Sequence, residues 1–422
     1  MSLLIKNIKS ILQAETVPVK WRAGDKMSIL PTLENGWIWI EDGIIKAFGT
    51  MKYLDQQDYH PNSTIDATDR MVLPAWCDSH THMVFPETRE IEYINKIKGL
   101  SYEEIAKRGG GILNSAQKMQ AASEEKLLAD ALKRLDLITH YGTGAVEIKS
   151  GYGLTTSTEL KMLRVIKKLK SLSQLTIKAT FLGAHAFPAK YRENHNGYID
   201  ILVNEMIPKI AEEHLADYID VFCDKGFYSV DETERVLDAG KKYGLRPKIH
   251  ANELDFSGGI ETGVKYDALS VDHLEFTAEE QIKILKNSHT MPTLLPGAAF
   301  FLGMNEPPAR LMINSGLPVA MATDYNPGSS PSGNMQFIIA LGAIRMRMIP
   351  EETINAVTIN SAYAMGVNDT LGTIAAGKKA NIIITKKIPT VAYLPYAYGD
   401  NKIETVILNG KVQEPLSADA IT

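Results

Sequence analysis

Between about Met71 and Gly366 the chain repeats one rhythm, a short apolar strand followed by an amphipathic helix, and that rhythm restricts the folds open to it. The strand segments are the apolar run before His80, then Ala145–Ile148, Thr176–Leu182, Ile219–Phe222, Pro247–His250, Leu269–Asp272, Met291–Leu295 and Val319–Ala322. Capping-box pairs at Ser101/Glu104, Thr156/Glu159, Ser229/Glu232 and Thr277/Glu280 predict where several intervening helices begin. An α/β chain with eight such units over roughly 300 residues fits a TIM-like (β/α)8 barrel. A doubly wound open sheet would more often place a glycine-rich phosphate turn after its first strand. Here that place is taken by Asp78-Ser79-His80-Thr81-His82.

Both ends of the chain have a different texture. Asn35 to Thr50 alternates about an Asp42-Gly43 turn, and Ile403 to Leu408, preceded by the strand-like Asn381 to Thr385, closes on Asn409-Gly410. Neither end has enough strands to be stable separately. Residues 1–70 and 367–422 are therefore expected to combine into a small composite β-sandwich domain beside a barrel spanning 71–366.

Composition bounds the partners. A net charge of -5 with no basic stripe gives no reason to expect a nucleic acid. Cys77 and Cys223 stand far apart with no CxxC spacing, which suits a reducing compartment. Met1 to Gln13 carries Lys6 and Lys9 and lacks an unbroken apolar core, so it is a poor signal peptide. The most apolar stretch, Met291 to Met304, is interrupted by Pro292, Pro296 and Gly297 and is too short to span a bilayer. A cytoplasmic protein with no membrane partner is expected.

The chemistry is carried by residues at strand ends. His80 and His82, two apart in a strand, point to one face and can converge on one ion. In a barrel the C-terminal ends of the strands gather in one place, so His250, Glu253, His273 and Asp324 would join them. Histidine and carboxylate donors with almost no cysteine favour an open, hydrolytic zinc or iron site over a closed structural one. His80, His82, His250 and Asp324 are the candidate ligands, and a divalent ion there would make water nucleophilic near neutral pH. Asp324 would also take that water's proton, His273 would steady the tetrahedral oxyanion, and Glu253 would protonate the leaving nitrogen. Arg89 offers a planar fork suited to a carboxylate. His185 follows a strand and is placed to hydrogen-bond a substrate, while Asn326-Pro327-Gly328-Ser329 offers an amide and backbone groups at the mouth of the site. Tyr102 and Tyr152 read, on their own, as packing residues. His60, His140, His195, His214 and His289 have no spacing that builds a site.

These residues resemble the amidohydrolase superfamily, through His80-Thr81-His82, His250-Ala251-Asn252-Glu253, His273 and Asp324, with Gly372 and Gly377-Lys378 in the tail. Longer strings narrow the match: Arg89, Gly109-Gly110-Gly111-Ile112, Glu147 to Gly153, Gly183-Ala184-His185 and Ala322 to Pro331. Within the superfamily they are similar to the branch that opens the ring of 4-imidazolone-5-propanoate to N-formimidoyl-L-glutamate in histidine degradation. The resemblance implies a small-molecule substrate carrying a carboxylate, one zinc or iron ion per chain, and substrate contacts from Arg89, Tyr102, Tyr152, His185, Glu253, Asn326, Gly328 and Ser329. A homodimer is expected. Some amidohydrolases carry a carboxylated lysine bridging two metals; Lys149 follows the second strand rather than the fourth, so an ordinary amine is expected. The alternative enzyme is a mononuclear relative deaminating an aromatic base, against which stands an arginine poised for a carboxylate. A binding protein without turnover is disfavoured because every proposed ligand and proton carrier is present. Asn381 departs from the aspartate usual after Gly-Lys-x-Ala.

Overall fold

The computed structural model describes residues 1–100 and 111–414. Eight parallel strands run in sequence order: β6 (Trp76–Thr81), β7 (Thr143–Lys149), β8 (Thr176–Ala184), β9 (Tyr218–Cys223), β10 (Arg246–Ala251), β11 (Ser270–His273), β12 (Met291–Leu294) and β13 (Ala320–Met321). The ring closes just past β13, where Asp324 N–H donates to His80 O at 3.0 Å and His82 N–H donates to Tyr325 O at 2.9 Å. The closing seam is thus made by the backbone of three candidate ligands. Inside and around the ring, Val146, Ile148, Ile219, Val221, Ile249 and Val271 are fully buried against the surrounding helices, as parallel strands covered on both faces require.

A second, mixed sheet is built from both termini. It contains β1 (Ser2–Leu12), β2 (Thr32–Glu41), β3 (Ile44–Thr50), β4 (Ser63–Asp66), β5 (Met71–Pro74), β14 (Ile382–Thr385), β15 (Ile403–Leu408) and β16 (Lys411–Val412). Both hairpin turns read from the sequence are present, with Asp42, Gly43, Asn409 and Gly410 all in the left-handed region that such turns demand. The sheet has its own core, including Ile5, Ile8, Ile38, Ile40, Ile382 and Ile407.

The apolar run before His80 is two strands. Met71–Pro74 pairs with β1 and β14 in the terminal sheet, and only from Trp76 does the chain enter the barrel. Pro74 has no N–H to continue a ladder, so the crossing falls there. Asn381 bridges the two sheets: its Nδ2 donates to Gly144 O at 3.1 Å, its Oδ1 accepts from Asn409 N–H at 2.9 Å, and its carbonyl accepts from Ala75 N–H. An aspartate would lose the first of these bonds.

Of the four capping boxes, Ser229/Glu232 forms as expected. The helix after β7 is capped instead by Thr155, and Glu159 turns back to accept from the N–H groups of Gly151, Gly153 and Leu154. One residue of slippage also occurs at Ala278, whose N–H bonds Gln281 in place of the Thr277/Glu280 pair. Ser101/Glu104 lies outside the described residues. No helix among those described is long and apolar enough to cross a membrane.

Candidate active site

His80 and His82 arrive at the end of β6 and His250 near the end of β10, and two of the three, His80 and His250, are held from behind by a carboxylate. His80 Nδ1 donates to Asp272 Oδ2 at 2.6 Å, and His250 Nδ1 lies 3.0 Å from Asp220 Oδ2. Carboxylates bound to the outer nitrogen fix the tautomer, so the inner Nε2 keeps its lone pair. The Nε2 atoms of His80 and His82 face one another at 3.3 Å, with Asp324 Oδ1 at 3.6 and 3.5 Å from them. His250 Nε2 is buried without a hydrogen-bond partner. Candidate ligand atoms of His80, His82 and His250 all lie within 4.8 Å of one another, the one such histidine, cysteine or acid group found among the described residues. Converging lone pairs, the orphaned Nε2 of His250 and a nearby carboxylate fit a divalent cation.

Beneath this cage is a buried charge network that the sequence reading did not assemble. Lys149 Nζ donates to Glu147 Oε1 at 2.6 Å and Asp220 Oδ2 at 2.8 Å. Lys248 pairs with the other oxygen of Glu147 and donates to Ser79 O at 3.0 Å. Lys149 is thus a charged amine in an ion-pair network, its pKa raised because Asp220, Glu147 and Asp272 together outweigh the cost of burial. The available signal was charge inside otherwise apolar strands, Glu147-x-Lys149 and Lys248-x-His250, because a buried charge must find partners.

Protonation follows from the same surroundings. Burial, with Lys149 and neighbouring imidazoles adding to it, holds His80 and His82 well below the ordinary histidine value and hence neutral. Burial also lowers His250, although Asp220 pulls the other way. Glu253 and Asp324 are each pushed up to about 7, chiefly by burial. His273 moves upward: burial opposes its charge, but Glu253, Glu275 and Asp324 outweigh it. Its Nε2 is 3.6 Å from Glu253 Oε2. Asn252, His273, Leu274 and Asp324 adopt positive φ, a backbone cost of about 1–3 kcal/mol each that concentrates at this rim.

A cavity of about 430 Å³ opens onto the cage and is lined by Arg89, Tyr152, His185, Glu253, His273, Asp324, Asn326, Gly328 and Ser329. Every expected contact residue is therefore brought together except Tyr102, which lies outside the described residues. His185 stacks on His82 with ring centroids 5.3 Å apart, and its Nδ1 donates to Gly151 O at 3.2 Å. Asn326 is engaged within its own loop: Nδ2 donates to Asp324 O at 2.7 Å, and Oδ1 accepts the N–H groups of Gly328 and Ser329. Three supporting residues were missed. Glu92 pairs with Arg89, Asp224 accepts from the N–H groups of Glu253 and Leu254, and Glu159 organises the loop that carries Tyr152. Asp224 and Glu159 were readable only as a loop acid and a helix cap.

Fold and site together define a metal-dependent hydrolase built on a (β/α)8 barrel. The amidohydrolase family model matches residues 71–413. Among solved structures, a triazine hydrolase variant superimposes with a TM-score of 0.75 at 16% identity, covering 97% of this chain and 94% of that one. An adenosine deaminase from Xanthomonas campestris with bound zinc gives 0.67 at 16%, covering 97% and 92%. At such identity the likeness speaks to the fold. A curated imidazolonepropionase from Flavobacterium johnsoniae is far nearer in sequence, 53% identical over 412 residues that span 98% of this chain and 100% of that protein. The chain belongs to the amidohydrolase family and, within it, to the imidazolonepropionases.

Proposed function

We propose that the protein hydrolyses 4-imidazolone-5-propanoate to N-formimidoyl-L-glutamate, the ring-opening step of histidine degradation. One observation carries this reading beyond the family: the guanidinium of Arg89 opens into the same cavity as His82, His250 and Asp324. A planar fork and a cation site sharing one pocket suit a substrate with a carboxylate at one end and a hydrolysable carbonyl at the other.

His80, His82, His250 and Asp324 would hold the ion, one zinc or iron per chain. Once bound, it supplies the positive charge that makes water nucleophilic near neutral pH and polarises the ring carbonyl. Arg89 binds the propanoate, with Tyr152, His185, Gly328 and Ser329 forming the walls around it. Asp324, 3.5 Å from His82 Nε2 at the edge of the cage, accepts a proton from the attacking water. His273, 3.6 Å from Glu253, steadies the oxyanion as the carbonyl carbon becomes tetrahedral. Glu253, protonated up to about pH 7, delivers its proton to the ring nitrogen as the carbon–nitrogen bond breaks. The buried, free thiols of Cys77 and Cys223 support a cytoplasmic setting.

The test is loss of ultraviolet absorbance from freshly made imidazolone propanoate, run beside ammonia release from cytosine or guanine. Ring opening without deamination is expected; ammonia release alone would overturn the assignment.

A further inference from the structure

We infer that Glu92 is a positioning residue for substrate recognition: it fixes the orientation of Arg89 and thereby sets where in the cavity the substrate carboxylate sits. This rests on the function proposed above. Glu92 lies one helical turn beyond Arg89, in the helix Glu90–Ile97. Its Oε2 accepts from Arg89 Nε at 2.8 Å and from Nη2 at 2.5 Å. Both side chains are mostly buried, at 14% and 15% exposure, so the pair is shielded from solvent far more than an ordinary surface bridge.

Glu92 is itself anchored from a second helix. The N–H of Gly111 donates to Oε2 at 3.0 Å and Asn114 Nδ2 donates to Oε1 at 3.3 Å. These bonds distinguish a fixed support from a carboxylate waiting to be displaced by substrate. A guanidinium has two edges able to pair bidentately with a carboxylate, Nε–Nη2 and Nη1–Nη2. Glu92 takes the first. The second remains, and it lies against Gly328, where the lack of a side chain gives Nη1 its room. The second negative charge weakens the long-range pull of Arg89 on a substrate carboxylate. In return the fork is held in one pose, which matters because the tail must place the ring carbonyl over the cage to within about 1 Å.

The consequence is specificity for tail length. An Arg89 free to swing would meet a carboxylate one methylene nearer or farther; an Arg89 held by Glu92 favours one length. The experiment uses the full-length, metal-loaded protein with Glu92→Ala and Glu92→Gln, each alone and with Arg89→Ala, on imidazolone propanoate and its acetate and butanoate homologues. In Glu92→Ala, KM for the propanoate should rise ~10-fold or more while kcat stays within about threefold. Preference for the propanoate over its homologues should shrink as well. Glu92→Gln keeps an acceptor oxygen and should recover most of both effects. In the Arg89→Ala background, Glu92→Ala should change nothing further. An unchanged or lower KM in Glu92→Ala, or an equal loss in both backgrounds, overturns the inference. If Arg89→Ala alone leaves KM unchanged, the carboxylate reading falls and this inference with it; if KM rises there but not in Glu92→Ala, only this inference falls.

Discussion

Gly328→Ala adds one methyl group and tests the Arg89 subsite without touching a charge. A β-carbon at position 328 would lie 2.9 Å from Arg89 Cζ and closer still to Nη1, inside any real carbon contact. The backbone at 328 is outside the left-handed region, so alanine brings no strain of its own, and the N–H that donates to Asn326 Oδ1 at 2.7 Å is retained. Relief must therefore come from the guanidinium, which has to retreat by roughly 1 Å to reach ordinary van der Waals separation. A hydrogen bond to a charged group is worth about 1.5–3 kcal/mol, so losing one between Arg89 and the propanoate should raise KM ~10- to 150-fold. Steady-state kinetics on imidazolone propanoate reads this directly. Metal content should match the wild type, because His80, His82, His250 and Asp324 are undisturbed. KM within about threefold of wild type, in the face of a large rise for Arg89→Ala, would refute the packing argument.

Removing the His82 imidazole with His82→Ala should lower metal content from about one ion per chain and abolish activity together; two tightly held ions in the wild type would contradict the single cage. Glu253→Gln keeps shape but has no carboxyl proton to give, so kcat should fall by ~10² or more with metal still bound. Because Glu253 works in its protonated form and its pKa is raised to about 7, wild-type kcat should decline as pH rises through that region. No such limb should appear in the glutamine variant. Lys248→Met leaves Glu147, Asp220 and Asp272 facing Lys149 alone, and breaking a buried pair costs about 3–5 kcal/mol. That loss should appear as a lower urea midpoint with an unchanged slope, and a change under about 1 kcal/mol would show that the network does not stabilise the barrel.

Local rules reach a long way in this chain. Short apolar strands alternating with capped helices specify the barrel because burial and periodicity act over a few residues at a time, and the Asp42-Gly43 and Asn409-Gly410 turns follow from φ alone. The cage was legible for a related reason: a barrel sends every strand's C-terminal end to one face, so His80, His82, His250 and Asp324 could be collected without knowing any distance. Other features depend on which segments meet. Whether Met71–Pro74 belonged to barrel or terminal sheet was decided by pairing with β1 and β14, partners some sixty residues before it and about three hundred after it in the chain. Glu159 fits a capping box by spacing but serves the Tyr152 loop, since three unpaired N–H groups there outbid the helix end. Glu147 and Lys149 share β7, but Asp220, Lys248 and Asp272 come from three other strands, and nothing in any one strand says which charge on another it will neutralise. Sequence thus determined which groups must be buried and where the ligands gather; only the closed ring, which brings strands distant in the chain within 4 Å of one another's side chains, decided who holds whom.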